Sequence, residues 1–89
     1  MANKLKTTLG PSATSDTLTG LAAGAIVVVA SELPVAVDID LDGADTWKQV
    51  WRDTAGAAGG APVEIRTAGG RLRVRNLAAA ANKVVVDEV

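Results

Sequence analysis

The densest group of reactive side chains is the acidic run from Asp38 to Asp45, DIDLDGAD. A helix–loop–helix calcium site takes oxygen ligands at positions 1, 3 and 5, glycine at 6, an apolar residue at 8 and a bidentate glutamate at 12. Asp38, Asp40, Asp42 and Gly43 meet the first of these demands. Asp45 then stands where the apolar residue belongs, and Gln49 where the glutamate belongs. Ile39 and Leu41 alternate with the acids as they would on a strand. The run therefore reads as a polar strand face ending in an Asp-Gly turn, with no metal and no cofactor expected.

Arg71, Arg73 and Arg75 alternate with Leu72 and Val74, which places three guanidinium groups on one side of a strand. Such a row can grip phosphates, meet an acidic protein surface, or form a cross-strand ladder with the Asp38/Asp40/Asp42 row. No aromatic residue interleaves with it, so base stacking finds no support and nucleic acid is not an expected partner. Trp47 and Trp51 share a face in either a strand or a helix, and offer a core anchor, an interface anchor or a sugar-stacking platform. The glycine-rich stretch Gly56–Gly60 lacks the Lys-Ser/Thr tail of a phosphate loop and reads as a flexible loop. There is no His to act as base and no Cys nucleophile. Ser12, Ser15 and Ser31 have no evident partner, and paired aspartates need a deep cleft to hydrolyse a glycoside. An enzyme is not expected.

The chain that must position these groups is short. Its 89 residues suit one domain. The apolar fraction is 48%, but 17 of those residues are Ala and the only aromatics are Trp47 and Trp51, so the core is thin. A thin core in a chain of this size calls for outside support; without Cys or His, that leaves association with other subunits. The net charge of −1 gives no global pull toward nucleic acid or membrane. Charge is nevertheless segregated. Thr7 to Trp47 contains six acids and no base, whereas Lys48 to Val86 contains seven bases against Asp53 and Glu64. The halves can pair within one molecule, the simpler reading, or head to tail between copies. Lys4 and Lys6 are separated from the apolar run Leu21–Ala30 by a polar stretch, which fits a secretory leader poorly, and that run is too short to span a bilayer.

Residues 1–16 are polar, rich in Ser and Thr, and broken by Gly10-Pro11, so they read as an extended N-terminal arm. Ordering each residue of such an arm costs about 1–2 kcal/mol, a demand that a neighbouring subunit would meet by contacts to Lys4, Leu5, Lys6 and Leu9. Residues 17–89 read as the folded domain. Seven short strands are predicted: Thr17–Leu21, Ala25–Ala30, Val35–Leu41, Thr46–Arg52, Val63–Thr67, Arg71–Asn76 and Lys83–Val89. A flexible loop covers 54–62, and an Ala-rich link over Leu77–Asn82 leaves room for one helical turn. The spacing and turn residues point to an all-β, compact β-sandwich of antiparallel strands. Val37, Ile39, Leu72, Val74 and Val86 are expected inside, with Asp38, Asp40 and the three arginines outside the core.

The Thr/Ser-rich leader, the alternating V-x-V-D-I-D-L strand, the W-K-Q-V-W segment and the closing R-L-R-V-R-N-L-A-A-A-A-N-K-V-V-V resemble the small β-sandwich virion proteins of tailed bacteriophages, capsid cement (decoration) proteins above all. The resemblance spans Thr17 to Val89 and lies in texture, so it carries over no functional residue. It implies a non-enzymatic subunit on the outer capsid surface, associated with the major capsid protein or other virion subunits and with itself. Tail and neck components share the texture, and a carbohydrate-binding module built on the two tryptophans is the reading from a different class. For a protein partner, Lys4, Leu5, Lys6, Leu9, Arg71, Arg73 and Arg75 are the expected contact residues.

Overall fold

The computed structural model describes residues 2–40, 43–52 and 60–89. Leu41, Asp42 and the stretch 53–59, where part of the acidic run and most of the expected 54–62 loop fall, lie outside the described residues; the last three loop residues, Gly60 to Pro62, belong instead to a strand. The described chain is all β: seven strands form two antiparallel sheets with no helix. The strands are β1 (Ala2–Leu9), β2 (Ala23–Ser31), β3 (Val35–Asp40), β4 (Trp47–Arg52), β5 (Gly60–Ala68), β6 (Arg71–Asn76) and β7 (Asn82–Glu88). One sheet has the order β1-β7-β2-β5 and the other β4-β3-β6.

The two sheets face each other across an aliphatic core, as expected of a β-sandwich. Val27 and Val29 come from β2, Val84 and Val86 from β7, Val35 and Val37 from β3, and Leu72 and Val74 from β6. Each strand contributes alternate residues, so the period-2 pattern selects the core directly. Val37, Ile39, Leu72, Val74 and Val86 are all buried. The turn from β5 to β6 carries the chain from one sheet to the other within two residues. Gly69 and Gly70 there have φ of 84° and 79°, a left-handed pair that side chains with a Cβ adopt only under strain.

Two expected elements differ. Residues Ala2–Leu9 do not extend as an arm; they form β1, paired along its length with β7 from Ala2↔Glu88 to Leu9↔Asn82. Leu9 lies in the core and Leu5 packs against it. Composition misleads here because a strand at a sheet edge needs only every second side chain to be apolar. Thr17–Leu21 is the reverse case. It makes one bridge, Leu18↔Leu72, and no strand. The segment runs beside β6, but Val74 N donates to the Ser15 side-chain Oγ at 2.9 Å where a regular ladder would supply a carbonyl. Leu18 and Leu21 still enter the core.

The Ala-rich link forms bends with no helical turn, and two buried amides explain its path. Asn76 Oδ1 accepts from Ala78 N at 2.9 Å, closing a local turn, and its Nδ2 donates to Gly10 O at 2.8 Å and Ala80 O at 2.9 Å. Asn82 clasps Leu33 through both ends of the residue's backbone, at 2.9 Å each, and donates to Asn76 Oδ1 at 3.2 Å. These bonds tie the end of β1, the β2–β3 connection and the β6–β7 link together.

Two outcomes follow for stability. Removing residues 2–9 strips Leu5 and Leu9 from the core and bares β7, so the shortened chain should lose its cooperative thermal transition in circular dichroism; an unchanged midpoint would show that β1 is dispensable. Asn76→Ala should lower the unfolding free energy in urea by about 2–3 kcal/mol, because it removes the side-chain bonds to Gly10, Ala78 and Ala80 and the acceptor of the buried Asn82 amide.

Candidate functional site

The outer face of the three-stranded sheet carries most of the polar side chains singled out above. Pairing puts them in three cross-strand rows: Trp47–Asp40–Arg71, Gln49–Asp38–Arg73 and Arg52–Ala36–Arg75. β3 is the central strand, and every one of its residues is buried. Asp38 is 3% exposed and Asp40 is fully enclosed, so the carboxylates lie outside the aliphatic core yet away from water. A buried carboxylate survives only if it is paired and hydrogen-bonded.

Both are. Asp38 accepts from Arg73 Nε at 2.9 Å, and from Arg75 Nε at 2.7 Å and Nη2 at 3.0 Å, the latter a two-point grip. Arg75 Nη2 also donates to Gln49 Oε1 at 2.7 Å. Asp40 accepts from Arg71 through Nε at 3.1 Å and through Nη2, and from the Asp45 backbone N–H at 3.0 Å. Asp45, in the left-handed region with φ of 59°, turns its carboxylate onto Arg71 Nη2 at 2.7 Å. Hydrogen bonds to Asp40 and Asp45 raise the pKa of Arg71 above the ordinary arginine value. A raised folded-state value means that this stabilisation is complete below the ordinary value and is lost only above it. Arg71 therefore adds no pH dependence from acid to mildly alkaline solution.

Trp47 completes the layer. The Arg73 guanidinium carbon stands 4.2 Å from the ring centroid and that of Arg71 5.3 Å, both within cation–π range. The register of β3 with β4 explains why Trp47 is here. Val37 pairs with Trp51 but Asp38 with Gln49, so Val50 is an extra, bulged residue. The bulge turns Trp51 inward against the core and leaves Trp47 on the outer face. The expectation that the two rings share a face fails for that reason, and with it a two-tryptophan sugar platform. Nothing in the sequence marks a bulge at Val50.

Most of the residues expected to meet a partner have contacts within the chain. Arg71, Arg73 and Arg75 pair with Asp38, Asp40 and Asp45 of their own chain, which is the simpler of the two readings of the charge halves. Lys4 lies 3.6 Å from Glu88, and Leu5 and Leu9 pack in or against the core. Lys6 is exposed. Among the described residues no group of three or more His, Cys, Asp or Glu side chains is placed to hold a metal ion. The sequence pattern marks Asp45 and Gln49 only as misfits of a calcium loop and Trp47 only as an anchor; their part in this layer depends on the β3–β4 pairing.

The other sheet turns a different face outward. Ile26, Val28 and Ala30 of β2 and Val85 of β7 point away from the core and are partly buried. Lys6, Thr8, Lys83 and Asp87 border this apolar stripe on the β1–β7 side, and Glu64 and Arg66 on the β5 side. A shallow hollow beside it is lined by Lys6, Thr7, Thr8, Lys83, Val84 and Val85. Comparison with protein-family models, with curated proteins and with solved structures finds no match for the chain.

The charged layer predicts a specific cost. Asp38→Ala leaves two arginines facing a void, and each is about a third exposed, between the fully buried and the surface case. The expected loss in chemical denaturation is about 2–3 kcal/mol. Asp38→Asn, which keeps one acceptor oxygen, should lose about 1 kcal/mol. Equal stability of all three proteins would mean that the layer does not hold the sheet.

Proposed function

We propose that this chain is a non-enzymatic structural subunit of a tailed-phage virion, of the capsid-cement kind, that binds the outer capsid lattice. The observation that carries the reading is the partly buried apolar stripe Ile26–Val28–Ala30–Val85 on the outer face of the four-stranded sheet. The opposite face spends its charges on itself, with Asp38 and Asp40 enclosed by the chain's own arginines. The stripe has no such cover among the described residues. Apolar surface rimmed by polar side chains is the usual form of a protein-binding patch. Its basic border, Lys6 and Lys83, suits an acidic rim on the partner. The β-sandwich architecture and the sequence texture described above support the same reading, and the major capsid protein is the partner it implies.

The test is co-sedimentation with purified heads of the encoding phage that lack this protein. The full chain should bind at micromolar concentration or below. Val85→Asp, placed on the outer face between Lys6 and Ala30, should bind at least tenfold more weakly while its thermal midpoint stays within a few degrees of the parent. Sedimentation with isolated tails and not with heads, or with neither, would overturn the cement reading.

A further inference from the structure

The strand edges of the two sheets are not equally open. On the three-stranded sheet, β6 is covered: Leu18 exchanges backbone hydrogen bonds with Leu72, and Ala13 O accepts from Asn76 N. β4 carries the Val50 bulge beside Lys48 and Arg52. On the four-stranded sheet, β1 has a register break at Lys4 and carries Lys4 and Lys6. Bulges and like charges are the devices that keep an edge from pairing with its own copy. The remaining edge is β5, which among the described residues pairs only with β2; its own irregularities, Pro62 and one extra residue between Gly60 and Val63, precede the stretch Val63–Arg66, which pairs with β2 in unbroken register.

From Val63 to Thr67 this edge reads V-E-I-R-T. Val63 and Ile65 are half-buried at the margin of the core, and Glu64 and Arg66 are exposed on the outer face. The segment is its own complement. A two-fold axis normal to the sheet and midway between the Ile65 residues of two copies sets two β5 strands antiparallel. It places Ile65 opposite Ile65, Val63 opposite Thr67 and, twice over, Glu64 opposite Arg66. Residues directly opposite on antiparallel strands share a face, so both charge pairs form on the outer side and both apolar sets join on the core side. We infer that the protein self-associates as a closed two-fold dimer through β5, merging two four-stranded sheets into one of eight strands.

The same argument disfavours the alternatives. Two β1 edges would bring lysines against lysines. A β5-to-β1 contact does not close on itself and would grow into rings or filaments. Dimerisation through β5 also sets the Ile26–Val28 stripes of the two copies on one continuous outer face. The inference does not depend on the virion reading, since it concerns the protein alone. An edge of five residues makes a small interface, so the dimer should be a weak one that dissociates on dilution.

Sedimentation velocity on the isolated protein, from about 1 µM to 1 mM, tests it. The full chain should shift from monomer to dimer across this range and go no further. Glu64→Arg and Arg66→Glu each set like charges opposite one another and should raise the dissociation constant by about tenfold or more. The double reversal E64R/R66E should dimerise as the parent does. Mixing the two single variants should give a heterodimer although each alone is monomeric, a result that a folding defect cannot produce. Circular dichroism melts of the variants confirm that they fold. A parent that stays monomeric at 1 mM overturns the inference. So does a dimer insensitive to both reversals, a mixture that does not associate, or growth beyond the dimer.

Discussion

Asp38 and Asp40 occupy the central strand of a three-stranded sheet, where a carboxylate is sealed from water on every side. Ionised groups in that position are unstable unless partners replace the lost hydration. The rest of this face is arranged around that demand. Arg71, Arg73 and Arg75 stand on the next strand at the matching register, and two of them close over Trp47. The bulge at Val50 brings Trp47 and Gln49 onto the same side. Asp45 takes up a left-handed backbone so that its amide and its carboxylate both serve the Asp40–Arg71 pair. A guanidinium between carboxylates and an aromatic face is held in one place, so the layer specifies the pairing of β3, β4 and β6 as firmly as an apolar layer would, and with less need for large side chains.

The shortage of large side chains shapes the other half of the molecule. The core holds Val and Leu with Trp51 at its margin, and it reaches adequate size only because β1 and the irregular stretch around Leu18 and Leu21 add to it. The Asn76–Asn82 pair then fixes the connections at one end of the sandwich by bonding the backbone of Leu33 and Ala80 and each other. The two described outer faces therefore differ: that of the three-stranded sheet is closed by ion pairs, and that of the four-stranded sheet carries a partly buried apolar stripe.

Much of this architecture is legible in the residues. Five of the seven strands follow from alternation or from β-branched runs and β4 from its strand neighbours, and the buried set Val37, Ile39, Leu72, Val74 and Val86 follows from the same period. The pairing of the arginine row with the aspartate row was one of the readings the pattern allowed, because alternate residues of adjacent strands must meet on one face. Local sequence is decisive in these cases because the side-chain direction depends only on parity along a strand.

What the sequence determined by itself is therefore the all-β character, the sandwich core and the one-sided charge of β3 and β6, each a matter of local periodicity. Tertiary structure decided the rest. Whether Ala2–Leu9 is an arm or a strand depends on whether β7 has a free edge to receive it. Whether Trp47 and Trp51 share a face depends on one unpaired residue, Val50. Whether Asp38 and Asp40 are exposed depends on what is laid over them. Strand neighbours, bulges and cover are set by contacts between segments far apart in the chain, and no pattern confined to one segment carries that information.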